Sequence, residues 1–331
     1  MIPVMRPSLP TASELLPYLQ RIDASHWYTN GGPLVHELEH RLEKLYGGHV
    51  AVLSSGTSGL ELCMMALGWT GAVVPAYTFR ATITAARRQC AHVSFADVDP
   101  ATWLLNSRYR AHNISVCAYG APIENPDLHE LIDAAGAFGN QGLSDAPTVF
   151  SLHATKALAA GEGGFLLCRD ARLADVVRRL SNFNFGGESS FCGTNAKMSE
   201  YHAAVALASL DGWNLRRAQL IQLRKLYHWF LGRYCPTVAF QQTREDIVSM
   251  IFPVLLPDGI DLDGVIAKMR VRGVACRSWY ECFAYHGEDV RPVAKMLSNR
   301  VLGLPFFIGL TLIDGVRRVC KELGKVLSEH A

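Results

Sequence analysis

The sequence predicts an α/β protein: a mostly parallel central sheet with helices on both faces, followed by a smaller α+β C-terminal domain. Runs such as His49–Leu53 and Gly164–Cys168 are apolar nearly throughout rather than alternating, as strands covered on both faces must be. Segments of helical period fall between such runs, the pattern of strands joined by crossover helices. A chain of 331 residues also exceeds one typical compact domain, so two lobes are expected, divided as 1–215 and 216–331.

In chain order, His49–Leu53 reads as a strand, 57–67 as a helix, 72–75 as a strand, Arg80–Gln89 as a helix and 92–98 as a strand. Strands continue at 114–119, 131–134, 148–152 and Gly164–Cys168. Within 198–234, Ala203, Ala204, Leu207 and Leu210 recur at helical spacing, so this region reads as long helical material holding the domain boundary. The smaller lobe then reads as strand-like 247–256, a helix at 262–272, strand-like 273–276 and a terminal helix at 312–329.

A formal net charge of +2, with no basic run interleaved with aromatics, argues against a nucleic-acid partner. The nine cysteines are scattered and never spaced C-x-x-C, which suits reduced thiols better than a disulfide frame or zinc ribbon. The start, Met1-Ile2-Pro3-Val4-Met5-Arg6-Pro7, has no charged leader followed by an apolar block. No apolar stretch approaches the ~20 residues of a membrane span. A cytoplasmic protein with no membrane partner is expected.

Three sites can carry chemistry. Lys156 follows the buried-looking strand 148–152 and precedes Gly161-Glu162-Gly163-Gly164, placing an amine in a small-residue loop. Such an amine is a nucleophile only when unprotonated, which partial desolvation favours; the plain alternative is a lysine reaching solvent. Gly56-Thr57-Ser58 stands where a strand gives way to a helix, so free N–H groups and the helix dipole can meet a phosphate, or Ser and Thr simply cap the helix. Asp133 follows apolar Leu131-Ile132, where a carboxylate is costly unless paired; its alternative is a helix N-cap. His153 can line a site or sit in the core, and no chemical role is assigned to it.

The segment from Thr148 to Gly164 resembles the internal-lysine region of the DegT/DnrJ/EryC1/StrS sugar aminotransferases, which use pyridoxal phosphate. Ser54-Ser55-Gly56-Thr57-Ser58-Gly59-Leu60 resembles their phosphate loop, Pro75-Ala76-Tyr77-Thr78-Phe79 their ring-stacking segment and Ile132-Asp133-Ala134-Ala135 their pyridine-nitrogen site. Gly193-Thr194-Asn195-Ala196-Lys197-Met198-Ser199-Glu200 resembles the loop that reaches a neighbouring subunit's cofactor. The likeness runs from about Trp27 to the C-terminus, with the motifs in the family's order.

The resemblance implies the fold type I architecture of pyridoxal-phosphate transferases and a homodimer. Lys156 is then the imine partner and the base that moves the proton, and Asp133 keeps the pyridine nitrogen protonated. Gly56, Thr57, Ser58 and Ser151 serve the phosphate, Phe79 stacks on the ring, and Asn195 bonds the phosphate in the partner's site. A phenylalanine after a strand is otherwise simple core, and an asparagine after Gly193 a turn residue. The implied reaction is a ping-pong transfer from an amino-acid donor, glutamate, to a 4-keto or 3-keto group of a nucleotide-linked deoxysugar. Thr29-Asn30-Gly31-Gly32-Pro33, Asn182-Phe183-Asn184-Phe185-Gly186, Lys197 and Arg277-Ser278-Trp279-Tyr280 resemble substrate-side segments of nucleotide-sugar members. A cofactor-binding regulator or scaffold without turnover is the alternative reading.

The chain departs from the family pattern in two places. Gly136 stands where many members carry Gln or His after Asp-x-Ala, and the connection from Gly120 to Asp133 is shorter than the usual strand-helix-strand crossover. One motif points to another class: His36-Glu37-Leu38-Glu39-His40 matches H-E-x-x-H, the zinc-peptidase signature. Leu34, Leu38, Leu42 and Leu45 form the apolar stripe of that helix, with both histidines beside it among Glu37, Glu39, Arg41, Glu43 and Lys44, the pattern of a solvated face. No metal is expected.

Overall fold

The computed structural model describes residues 1–105, 112–125, 130–187, 192–283, 291–310 and 313–329. Helices α1 (Ala12–Ser25) and α2 (Pro33–Tyr46) precede β1 (His49–Leu53), α3 (Gly56–Ala66), β2 (Gly71–Pro75), β3 (Tyr77–Thr78), α4 (Arg80–Gln89) and β4 (His92–Ala96). Strands β5 (Ile114–Val116), β6 (Leu131–Asp133), β7 (Thr148–Ser151) and β8 (Gly164–Cys168) complete the central sheet. Helices α5 (Ala171–Leu180), α6 (Glu200–Asp211) and α7 (Trp213–Tyr234) follow. The C-terminal part holds β9 (Phe252–Leu255), α8 (Leu262–Val271), β10 (Glu281–Cys282), α9 (Pro292–Arg300), β11 (Val301–Leu304) and α10 (Asp314–Ser328).

The central sheet runs in the order β1-β8-β7-β6-β5. β8 is antiparallel to both neighbours, whereas β7, β6 and β5 pair in parallel. The parallel pair β2–β4 adjoins the β5 edge through a bridge between Val73 and Asn113. Side chains alternate between two apolar layers: Val50, Val52, Phe150 and Phe165 enter one core, Ala51, Leu53, Val149 and Leu166 the other. Burial of both sets is the reason these strands are apolar throughout.

Several elements differ from the sequence reading. The run 114–119 leaves the sheet after Val116, because Tyr119 (φ +55°) and Gly120 (φ +87°) take left-handed conformations that end an extended strand. The helical stretch 198–234 is two helices, divided at Gly212. Pairing within 247–256 is confined to the four residues opposite β11, from Phe252 with Leu304 to Leu255 with Val301. In 273–276, Val274 alone pairs, in parallel with Ile2, which ties the N-terminal segment to the C-terminal part. Leu312, expected to start the last helix, lies outside the described residues, as do 126–129 of the shortened connection. The expected division at 215/216 falls near the start of α7, and one apolar cluster spans both sides of it, from Leu207 through Tyr227 to Leu323.

Candidate active site

In a mostly parallel sheet the carboxyl ends of the strands are where a ligand meets the protein. Here Ser55 follows β1, Cys117 follows β5, and Asp133 and Ser151 end β6 and β7. They line one cavity of about 290 Å³, together with Phe79, Lys156 and Tyr280. Lys156, Asp133, Gly56, Thr57, Phe79 and Ser151, expected from the sequence to act together, all reach its wall.

Asp133 is buried, with its carboxylate held from two sides. The Thr82 hydroxyl on α4 donates to Oδ2 at 2.7 Å, and the Ala135 amide donates to Oδ1 at 3.0 Å. Burial raises its pKa, opposed by those two donors and by the Lys156 charge. Lys156 is half-buried in a loop closed by Ala154 N–H to Gly161 O and Leu152 N–H to Gly163 O, both 2.8 Å. Gly161 (φ +84°) supplies a left-handed turn that a larger residue there strains. Burial lowers the pKa of the lysine amine, the Asp133 charge pulling the other way. Burial therefore disfavours the charged form of both the Lys156 amine and the Asp133 carboxyl at this cavity.

The N-terminus of α3 forms a cradle beside them. Ser55 and Ser58 make a reciprocal capping box, the Ser58 amide donating to Ser55 Oγ at 3.0 Å and the Ser55 amide to Ser58 Oγ at 3.2 Å. Ser58 is thus committed to the helix cap and is not on the cavity wall, where Ser55, Gly56 and Thr57 lie instead. A Cβ on Gly56 would sit 3.1 Å from the Ser151 Cβ, and one on Gly164 would meet Ser55 C at 2.5 Å and Phe150 O at 2.8 Å. The two bare glycines let helix, β7 and β8 approach closely enough to place Ser151 against the helix start. Phe79, at the N-cap of α4, leaves about half of its surface (49%) exposed at the cavity.

Other wall residues carried weaker sequence signals. Thr82 gives no sign in the sequence of reaching Asp133, since helix α4 faces β6 only once folded. His153 Nδ1 bonds Thr155 Oγ1 at 2.9 Å, and its Nε2 lies 3.7 Å from Glu162. Gly136 lies on the wall, where a Cβ would have Met250 Sδ 3.6 Å away. Trp279 and Tyr280 line the cavity from the C-terminal part, with the Arg277 guanidinium 4.0 Å from the Trp279 ring centre.

Asn195 is exposed and lies away from this cavity, paired across a bridge with Asn182. Near it, Asn30, Gly31, Asn182, Phe185 and Lys197 line a second cavity of about 230 Å³, which brings three of the substrate-like segments together. Phe183 and Asn184 are left-handed (φ +57° and +58°), and Lys197 Nζ stands 4.9 Å above the Phe183 ring. Glu200, in the motif that holds Asn195, is buried and accepts from the Leu34 and Val35 amides at 2.7 and 2.9 Å. Its role is to satisfy the start of α2.

The H-E-x-x-H segment forms part of α2, with His36 and His40 exposed. Glu39 departs from the expected solvated face: it is buried, accepts from the Val52 amide at 3.0 Å and pairs with Arg178 at 3.3 Å. Leu45, expected in the apolar stripe, is 50% exposed. Among the described residues no group of three or more His, Cys, Asp or Glu side chains is placed to hold a metal, and no helix is long and apolar enough to cross a membrane.

The model of the DegT/DnrJ/EryC1/StrS aminotransferase family matches residues 11–115 and 124–324. The dTDP-4-amino-4,6-dideoxy-D-glucose transaminase of Escherichia coli is 26% identical over 369 aligned positions, covering 98% of this chain and 99% of that protein. The transaminase of the same name from Shigella dysenteriae is 28% identical, over 77% of this chain and 73% of its own. Among solved structures, DesI in the presence of its TDP-sugar product superposes with a TM-score of 0.87 at 31% identity, covering 100% of this chain and 96% of that one.

Proposed function

The chain belongs to the DegT/DnrJ/EryC1/StrS aminotransferase family, and on that premise we propose that it moves an amino group from glutamate to a keto group of a nucleotide-linked deoxysugar. It is an aminotransferase, and its cofactor is pyridoxal phosphate. The observation that carries the reading is the meeting of Lys156, Asp133 and the start of α3 around one cavity. An amine, a buried carboxylate and an N–H-rich helix start match an aldehyde, a pyridine nitrogen and a phosphate respectively. Names of relatives that act on dTDP-linked 4-amino sugars support the sugar substrate.

Bound pyridoxal phosphate supplies an electron sink for the carbon that loses a proton. This chain's residues do the rest. Lys156 Nζ, whose pKa burial lowers, would hold the cofactor's aldehyde carbon and, once the amino donor has displaced it, would serve as the base that moves the proton. Asp133, fixed by Thr82 and Ala135, would keep the ring nitrogen protonated. The amides at Gly56 and Thr57, with the Ser55 and Ser151 hydroxyls, would hold the phosphate, and Phe79 would pack against the ring. Asn195, exposed on the loop that precedes α6, completes the site of a second copy in a homodimer.

Incubating the cofactor-loaded protein with glutamate and a panel of nucleotide keto-deoxysugars tests the substrate. The reading expects 2-oxoglutarate to form in excess over enzyme only when a keto-sugar is present. Glutamate consumption with simple 2-oxo acids and with none of the sugars overturns it.

A further inference from the structure

A smaller cavity, of about 40 Å³, adjoins that of Asp133 and shares Thr155, Lys156 and Met250 with it. The rest of its wall comes from distant parts of the chain: the N-terminal segment, one face of α7 and the residues before β9. That wall carries the cations Arg6, Lys156 and Arg216 and the hydroxyls of Ser8, Thr155 and Ser249, and no Asp or Glu. Arg216 spends one N–H on the Ser8 carbonyl, which fastens the N-terminal segment to α7. Glu14, whose charge reaches Arg216, has its carboxylate taken up by the cap of α1, where it accepts from the Thr11 amide at 2.7 Å. Arg6 is exposed and makes no hydrogen bond or ion pair among the described residues.

Ser249 adds a buried donor to this basic wall. It is 1% exposed, and its Oγ accepts from Arg224 Nη1 at 3.1 Å, so among the described residues the hydroxyl's own proton has no acceptor. A buried hydroxyl with an unspent proton on a cavity wall is a donor for what enters. Arg224 stands one turn beyond Leu220 on the same face of α7, is itself buried, and its Nε has no partner. Its guanidinium lies 5.5 Å from the centre of the Phe252 ring. Burial lowers its pKa to about 10, against the pull of the Glu245 charge, so it remains a cation at neutral pH. A buried cation bonded to no carboxylate is costly, and here it stands behind a cavity already walled by cations. The field in that cavity favours an anion.

We propose that this cavity is the carboxylate site of the amino donor, in which the Arg6 and Arg216 guanidinium groups and the Ser249 hydroxyl donate to the two carboxylate oxygens while the donor's amine lies at Lys156. The inference rests on the aminotransferase reading. Size separates a carboxylate from the other anion of the reaction: the cavity is little larger than the ~30 Å³ that one water occupies in the liquid, too small for the diphosphate of a nucleotide-sugar. Arginine suits the task because its planar fork can meet both oxygens at once. Glutamate offers two such groups, one on the carbon that bears the amine and one at the far end of the side chain.

Arg6→Ala and Arg216→Lys test the site, with melting temperature measured alongside. Arg6 holds nothing together among the described residues, so Arg6→Ala is expected to melt as wild type even if Arg216→Lys loosens the N-terminal segment. The glutamate half-reaction of the cofactor-loaded protein, followed by cofactor absorbance, is compared with that of L-2-aminobutyrate, which lacks the distal carboxylate. If the cavity holds the distal group, the half-saturating glutamate concentration rises about tenfold or more in the variants and that of 2-aminobutyrate stays in place. If it holds the carboxylate beside the amine, both rise together. Either result supports the proposal and identifies the group. A folded Arg6→Ala protein with a wild-type glutamate half-reaction overturns it, including when the KM for the keto-sugar rises instead. Wild-type protein whose cofactor absorbance responds to neither amino acid overturns the aminotransferase reading instead.

Discussion

The Thr82 hydroxyl donates a 2.7 Å hydrogen bond to Asp133 across the gap between α4 and β6. This bond keeps a carboxylate in a place where burial alone favours its protonated form. Thr82→Val removes it at little cost in shape. A hydrogen bond to a charged group is worth about 2 kcal/mol, so cofactor affinity should fall about tenfold or more by equilibrium titration. An unchanged affinity would show that Thr82 only fills space.

Asp133 also sets a stability trade. Its pKa is raised in the folded protein above the ordinary 3.8, so the fold prefers the neutral carboxyl. Below that value folded and unfolded chains are both protonated and no penalty arises. As pH rises through the folded pKa the buried group ionises, and the stability lost on the way stays lost at neutral pH. Cofactor-free Asp133→Asn should therefore melt higher than wild type at pH 7, the difference shrinking towards pH 4, while turnover is abolished. Calorimetry showing the opposite sign at pH 7 would contradict this.

Lys156 should capture the aldehyde with a pH dependence of its own. Burial lowers its pKa below the ordinary 10.5, with Asp133 limiting the shift. The rate of cofactor loading by the apoprotein should rise with pH and level off below that value, as followed by stopped-flow absorbance. A rise that continues to the ordinary lysine pKa would mean a solvated amine.

The cradle depends on what Gly164 lacks. A methyl group there would meet Ser55 C at 2.5 Å and Phe150 O at 2.8 Å, both backbone atoms that cannot swing aside. Gly164→Ala should destabilise the fold by about 3 kcal/mol and weaken phosphate binding by prising β8 from the start of α3. Urea unfolding within error of wild type would contradict the packing argument.

Much of this arrangement was legible in the sequence. Doubly apolar runs marked β1, β7 and β8, and small residues around Lys156 and Gly56 marked turns that a ligand can approach. What stayed hidden depends on distance along the chain. Thr82 meets Asp133 across 51 residues, and Tyr280 meets Tyr119 across 161, so neither leaves a local pattern. The left-handed Tyr119 ends β5 against its apolar periodicity, which is what tertiary contacts do when they outweigh propensity. Glu200 looked like part of a binding loop because its carboxylate caps a helix 165 residues earlier in the chain.

Asn195 is exposed on the loop before α6, and its proposed service to a second copy is open to a complementation test. Lys156→Ala and Asn195→Ala proteins should each be impaired alone. Mixed and reassembled, they should recover roughly a quarter of wild-type activity, because half the dimers are hybrid and one site in each hybrid is intact. No recovery, in a mixture shown to exchange subunits, would place Asn195 outside the partner's site.

Borohydride reduction of the cofactor-loaded protein, followed by peptide mass mapping, tests the central claim most directly. Reduction fixes the imine as a stable amine, and the account expects the phosphopyridoxyl mass on the peptide that contains Lys156, lost in Lys156→Ala. The same mass on any other lysine, or on none, would contradict it.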